Sequence, residues 1–244
     1  MMKNLINLLR STLPRPVKII LHPLLKLFRT IRFLIRYKFL PPPQGTDLVG
    51  YESLISFIEA HKLLEIDGDI VEIGAFLGGG TYKLAKYLKR KGSQKRIYAV
   101  DIFDIYTDQT ECIQGIHMAD IYERVVKTIG KGLSQWEIFQ KVTKGCENIV
   151  VIKGDSKTIE LPTSSVCFAC IDGNHQPSYV RNDFYLVWSK LSPGGVVAFD
   201  DYGYDLPGVT VTINELIGEC KQEITVISRQ GKIIFLQKQN RGNG

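Results

Sequence analysis

The sequence predicts an α/β protein: a doubly wound sheet of about seven strands with helices on both faces, a closing antiparallel hairpin and an N-terminal helical arm. Three observations carry this. From residue 49 onward, short apolar runs alternate with segments of helical periodicity, the pattern of a sheet crossed by helices. The first run ends in a Gly-rich turn, and acidic residues stand at the ends of the later runs. The chain has 244 residues, 44% apolar and 23% charged, which excludes a largely disordered protein and suffices for a core without disulfide or metal staples.

Taken in order, residues 51–64 show helical spacing through Leu54, Ile55, Phe57, Ile58 and Leu63. Asp69–Ile73 (DIVEI) is a short apolar run before a Gly-rich turn, as suits a buried parallel strand feeding a helix over 82–91. Residues 96–100 (RIYAV) form the second strand, 149–152 (IVVI) the third and Val166–Ile171 (VCFACI) the fourth. A helix over 178–191 follows, then a Ser-Pro-Gly-Gly turn at 192–195 and a fifth strand at 196–199 (VVAF). Residues 209–219 read as a helix, and 224–228 and 232–236, joined through Gly231, as the hairpin. The long stretch 102–148 carries helical patterns at 121–129 and 135–142; a connection of that length reads as a lid or substrate wall.

The formal net charge of +6 is unevenly placed. Nine of the 31 basic residues and none of the 25 acidic ones lie in residues 1–46, so the body from 47 to 244 is mildly acidic. That argues against a nucleic-acid-binding body, which needs a positive footprint for phosphates. Five scattered cysteines suit reduced thiols in a cytoplasmic protein rather than a disulfide framework. Cys167 and Cys170 read as buried small residues, because no second pair completes a zinc site. His22, His61 and His117 have no ligand spacing.

The arm contains neither a secretory signal nor a span. Arg10 and Lys18 interrupt its apolar runs, and charges recur through 24–40. On a helix, Lys26, Arg29, Arg32 and Arg36 fall on one side and Leu24, Leu27, Phe28, Ile31, Leu34 and Ile35 on the other. Residues 24–38 thus read as a basic amphipathic helix suited to an anionic membrane surface, with packing on the body or a second subunit (a homo-oligomer) as the equal alternative. A mitochondrial transit peptide is a weaker reading.

Acids at the strand ends draw attention to one rim of the sheet: Glu72, Asp101, Asp155, Asp172, Asp200 and Asp201. Ligands of doubly wound sheets bind beyond those ends. Separate helix capping explains single sites but not the Asp200-Asp201 pair, where like charges need compensation. The stretch IVEIGAFLGGGT at 70–81 has Gly74-x-x-x-Gly78 opening a helix, with Phe at 76 where a dehydrogenase fingerprint needs glycine. With Gly154-Asp155-Ser156, Asp172-Gly173-Asn174-His175 and PGGVVAFDDY at 193–202, it resembles the Rossmann-like class I S-adenosylmethionine-dependent methyltransferases. The resemblance is to the metal-dependent macrocin O-methyltransferase (TylF/MycF) and cephalosporin-hydroxylase-like group, with catechol O-methyltransferase more distant. It covers about residues 50–238.

This resemblance implies that Glu72, Gly74, Gly78, Thr81, Asp101, Asp155 and Ser156 bind S-adenosylmethionine, with Asp101 on the ribose and Gly154-Asp155-Ser156 near adenine. It also implies that Asp172, Asp200 and Asp201 hold Mg²⁺ or another divalent cation. His175, three residues after Asp172 and where the catechol-type enzyme carries a Lys, is the candidate base, with Asp172 as the alternative. The implied reaction is methyl transfer to a hydroxyl of a sugar or glycosylated small molecule. The alternatives are an NAD-dependent oxidoreductase or hydroxylase on the same fold, and a non-catalytic cofactor-binding membrane scaffold.

Overall fold

Seven strands form one sheet in the order β3-β2-β1-β4-β5-β7-β6. They are β1 (Asp69–Ile73), β2 (Ile97–Asp101), β3 (Ile149–Lys153), β4 (Val166–Ile171), β5 (Leu191–Phe199), β6 (Ile224–Gln230) and β7 (Ile233–Lys238). This computed structural model describes residues 27–28, 30–112 and 115–239. The first five strands are parallel, and β7 pairs antiparallel with both β5 and β6. The order reverses between β1 and β4, opening a crevice at their carboxyl ends where such sheets bind ligands.

The helices are α1 (Tyr51–Ala60), α2 (Gly79–Arg90), α3 (Met118–Gly130), α4 (Gln135–Thr143), α5 (Pro177–Trp188) and α6 (Pro207–Glu219). Strand side chains alternate between faces. Val71, Ile73, Ala169 and Ile171 pack with Val180, Phe184 and Val187 of α5 and Ile213 and Leu216 of α6. On the other face Phe139 of α4 joins Ala99, and Phe57 of α1 stacks on Phe235 of β7 with ring centroids 3.7 Å apart. β4 is buried along its whole length, because VCFACI is covered on both faces. Cys167 and Cys170 lie within it as free thiols.

The structure moves several expected boundaries. The first helix ends at Ala60, and Lys62, in the left-handed region, leads into a 3₁₀ turn at Leu63–Glu65. α2 starts at Gly79 rather than Tyr82. β5 begins at Leu191, which pairs with Val166; Val196 then resumes the ladder opposite Phe168. The turn residues 192–195 therefore bulge out of the strand instead of preceding it, with Gly194 at φ +80°. α3 and α4 occupy the long 102–148 connection, and α4 opens with a capping box formed by Ser134 and Glu137.

Residues 42–244 form one compact unit and 1–41 another. Within the first unit, residues 30–37 are helical; Leu27, Phe28, Ile31 and Ile35 are exposed, and Phe33, Tyr37 and Phe39 contact one another through their rings. Residues 1–26, including Leu24 and Lys26, and also Arg29, lie outside the described residues. No helix among the described residues is long and apolar enough to cross a membrane.

One ion-pair cluster pins the start of the body. Lys83 of α2 is buried, with Nζ 2.5 Å from Asp47 Oδ2 and 2.7 Å from Glu52 Oε1. Asp47 also accepts backbone N–H bonds from Gly50 and Tyr51 at the start of α1. Lys83→Met leaves the buried Asp47 carboxylate without its cation, so urea unfolding is expected to show a loss of about 3–5 kcal/mol. A loss below about 1 kcal/mol, the worth of an exposed pair, would contradict the assignment.

Candidate active site

The crevice between β1 and β4 opens into a cleft. Glu72, Gly74, Asp101, Asp155, Ser156 and Asp172 all line it, as do Asp108, Tyr122 and Gln135 from the long connection and α3–α4. Gly78 and Thr81 do not. Gly78 has φ +79° at the start of α2, and a Cβ there would lie 2.8 Å from Phe139. Thr81 is fully buried behind the wall. Gly74 lines the cleft, but packing also demands glycine there: φ is +91°, and a Cβ would fall 1.9 Å from the Asp172 carbonyl oxygen. The bare backbone lets the ends of β1 and β4 meet.

Glu72 points from β1 towards α1 and α2, where the Tyr51 and Thr81 hydroxyls each donate to it at 2.5 Å. Burial pushes its pKa up to about 8, against those two hydrogen bonds. Asp101, at the end of β2, accepts from the backbone N–H of Phe76 at 2.7 Å and of Phe103 at 2.8 Å, and from Gln135 Nε2 at 3.0 Å. Both phenylalanines adopt left-handed backbone conformations, φ +45° and +46°. Each such residue costs on the order of 1–3 kcal/mol and persists only where its surroundings enforce it. Burial raises Asp101 to about 6, the three donors opposing. Asp155 accepts from the Tyr179 hydroxyl and from the Lys157 N–H, both at 2.9 Å.

A second polar cluster sits where β4 and β5 end. His175 is buried; its Nδ1 lies 2.6 Å from Asp108 Oδ2, which also accepts the His175 backbone N–H at 3.0 Å. Its Nε2 faces Asp201 Oδ2 at 3.1 Å and Asp172 Oδ1 at 3.6 Å. Tyr122 stacks over the imidazole, centroids 6.4 Å apart. Asp201 has φ +56°, a strained turn that directs its carboxylate back into the cluster. Lys232, at the β6–β7 turn, places Nζ 2.6 Å from Asp200 Oδ2 and 2.9 Å from Asp201 Oδ1.

This arrangement groups the acids differently from the expected trio. Asp172, His175 and Asp201 each aim one donor atom at a common point, all three within 4.8 Å of one another. Asp200 is outside that group, although Lys232 Nζ contacts both its carboxylate and that of Asp201. Burial opposes charge on His175, yet Asp108, Asp172 and Asp201 hold its pKa well above the ordinary histidine value. Burial raises Asp172, and burial together with Asp172 pushes Asp200 up to about 8. Burial also works against the Asp201 carboxylate, but His175 and Lys232 hold it below its usual range.

A divalent cation fits the three converging donors on one observation: His175 Nε2 is buried and makes no well-directed hydrogen bond to any described residue. Sequence reasoning missed Asp108, Gln135, Tyr122 and Lys232. Only Lys232 carried a signal, as one of two cations, with Arg229, at the hairpin turn.

The family described as "Methyltransferase domain" matches residues 71–202, and the chain belongs to it. No curated protein matches the chain. Among solved structures, the O-methyltransferase NovP superposes with TM-score 0.59 at 16% identity, covering 78% of this chain and 79% of that one. The apo structure of CalS11, titled TDP-rhamnose 3'-O-methyltransferase, gives TM-score 0.52 at 17% identity and covers 94% of this chain and 98% of that one. The methyltransferase MycE, in complex with Mg, S-adenosylhomocysteine (SAH) and mycinamycin VI, gives 0.52 at 15%; the match covers 87% of this chain and 55% of that one. At these identities the likeness establishes the shared α/β fold.

Proposed function

We propose that the protein is an S-adenosylmethionine-dependent O-methyltransferase, assisted by a divalent cation and acting on a hydroxyl of a sugar or glycosylated small molecule. The observation that carries this is that one cleft joins the bracketed Asp101 carboxylate to the acid and imidazole cluster, through Asp172. The NovP, CalS11 and MycE structures are named as methyltransferases, and the CalS11 name includes the sugar nucleotide TDP-rhamnose, which supports the acceptor class.

When bound, S-adenosylmethionine supplies an electrophilic methyl group, and a divalent cation lowers the pKa of an oxygen beside it. The chain's own residues do the rest. Asp101 is placed to accept from a ribose hydroxyl, because Oδ2 keeps a lone pair after the Phe76 bond, while Phe103 and Gln135 occupy Oδ1. Asp172 opens on the cleft and reaches the cluster, so it is the residue assigned to take the acceptor's proton. Asp108, Asp172 and Asp201 hold the His175 pKa above the ordinary histidine value against its burial, and the ring does not line the cleft. Ile102, Ile105 and Tyr106 add an apolar wall from the long connection, which excludes water around the reacting atoms.

The test is methyl transfer from labelled S-adenosylmethionine to a panel of nucleotide sugars, simple glycosides and catechol. Transfer to the sugars supports the reading; transfer to catechol alone rejects the acceptor class, and transfer to none rejects the function.

We also propose that the arm associates peripherally with anionic membranes from the cytoplasmic side. The exposed Leu27, Phe28, Ile31 and Ile35 lie on a helix that carries Arg32 and Arg36. Each basic residue at an anionic surface adds on the order of 1 kcal/mol. Full-length protein is expected to sediment with phosphatidylserine vesicles at low salt and to be released at 1 M, where the Debye length is about 3 Å. Salt-insensitive behaviour, with a chain lacking residues 1–43 changing from dimer to monomer, would assign the arm to oligomerisation instead.

A further inference from the structure

We propose that Gln135 is a positioning residue of the cofactor site: its carboxamide holds the Asp101 carboxylate so that Oδ2 is the oxygen presented to a ligand, and it meets no ligand itself. The proposal rests on the methyltransferase reading only for the identity of that ligand.

Gln135 is the first residue of α4, on the long connection, yet it is buried and reaches the wall of the cleft. Its amide ties together three separate points of the backbone and site. Nε2 donates to Asp101 Oδ1 at 3.0 Å and to the Phe76 carbonyl at 3.4 Å, and Oε1 accepts the Asp104 N–H at 3.1 Å. A carboxamide has two N–H donors, so both are spent inside the protein, and its oxygen already has a partner. The group is therefore engaged with Asp101 rather than free for a ligand. On the carboxylate, Oδ1 takes both Gln135 and the Phe103 N–H, whereas Oδ2 takes the Phe76 N–H and keeps a lone pair.

The backbone gathered around this amide is strained. Seven non-glycine residues among those described have positive φ, and three of them, Phe76, Phe103 and Asp104, hydrogen-bond to Gln135 or Asp101. Such conformations persist where the surroundings over-determine them, and they cluster at ligand sites. α4 is fastened at the same place: Asp104 Oδ1 accepts the Trp136 N–H at 3.3 Å, and Ser134 accepts the Glu137 N–H at 3.2 Å. Burial raises the Asp101 pKa, while the N–H groups of Phe103, Phe76 and Gln135 oppose it. Removing a donor to the charged form raises it further.

The experiment measures SAH binding at pH 7 to full-length protein in four forms: parent, Gln135→Met, Asp101→Ala and the double variant. Methionine keeps the length of the side chain and removes its hydrogen bonds. Gln135→Met is expected to weaken SAH binding about tenfold in the parent but less than about twofold on Asp101→Ala, the non-additivity of two residues that act as one. In parallel, ¹³C-carboxyl resonances of aspartate-labelled protein follow the Asp101 titration without SAH, assigned by the signal lost in Asp101→Ala. Its midpoint, about 6 in the parent, is expected to rise by roughly one pH unit in Gln135→Met. The other titratable groups around Asp101 are Asp104, Glu72 of β1, Tyr106, Tyr122 of α3 and Lys153 of β3, and the substitution alters none of them. Equal losses in both backgrounds, no loss in the parent, or an unmoved midpoint overturns the proposal. Gln135→Asn, whose amide is one methylene short of Asp101, gives the same comparison where Gln135→Met does not fold. A raised midpoint in a protein that binds no SAH rejects the methyltransferase reading and leaves the hold on Asp101 standing. SAH binding by the parent with an unmoved midpoint rejects the positioning role alone.

Discussion

Asp172→Asn is expected to lower kcat by about 10²–10⁴-fold, the range for loss of a positioned proton acceptor, while SAH affinity stays within about threefold. The reason is geometric: Asp172 is the member of the Asp172–His175–Asp201 group that also lines the cleft. The amide keeps the side chain's shape but no longer takes a proton, and it removes one of the two carboxylates facing His175 Nε2. Single-turnover rates with saturating S-adenosylmethionine check this. A kcat within tenfold of the parent would remove Asp172 from the chemistry. A change confined to KM would make it a substrate-binding group.

The second large effect is at Asp101. A hydrogen bond to a charged group contributes about 1.5–3 kcal/mol, so losing the ribose bond through Asp101→Ala is expected to weaken SAH binding by a factor of about 10 to 10². The backbone N–H groups of Phe76 and Phe103 lose their acceptor in the same variant. Asp101→Asn, which still offers an oxygen, is the milder companion. The pH dependence has a definite sign. Burial raises Asp101 to about 6 in the folded protein, so the carboxylate forms as pH rises through that value. The ribose hydroxyl donates to the ionised form, and SAH affinity is therefore expected to fall as pH drops below about 6. Calorimetry across pH 5–8 checks it, and a flat profile with unchanged Asp101→Ala affinity would move the ribose contact to another residue.

How far the sequence reveals this protein depends on the range of the forces involved. β1 and β4 stand where DIVEI and VCFACI predicted them, because a short, mainly apolar and β-branched run bounded by turn residues suits a covered sheet. The acids at the strand ends were legible for the same reason, since strand register fixes the rim they share. What the sequence concealed is the pairing across that rim. Asp108 lies 67 residues from His175, on an irregular stretch with no periodicity to place it. Lys232 lies 31 residues from Asp201 and meets it only because β7 pairs antiparallel with β5. The resemblance to metal-dependent relatives likewise grouped Asp172 with Asp200 and Asp201, whereas the structure brings His175 together with Asp172 and Asp201. Gly78 and Thr81 belong to the same Gly-rich turn as Gly74, yet α2 turns both away from the cleft, and local pattern alone does not distinguish the three.

The most direct test of the account is isothermal titration of S-adenosylmethionine into full-length protein, with NAD titrated in parallel. The cleft, with Phe76 in place of a dinucleotide-binding glycine and Asp101 bracketed at the end of β2, predicts one S-adenosylmethionine per chain and no heat from NAD. NAD binding with no S-adenosylmethionine binding would contradict it.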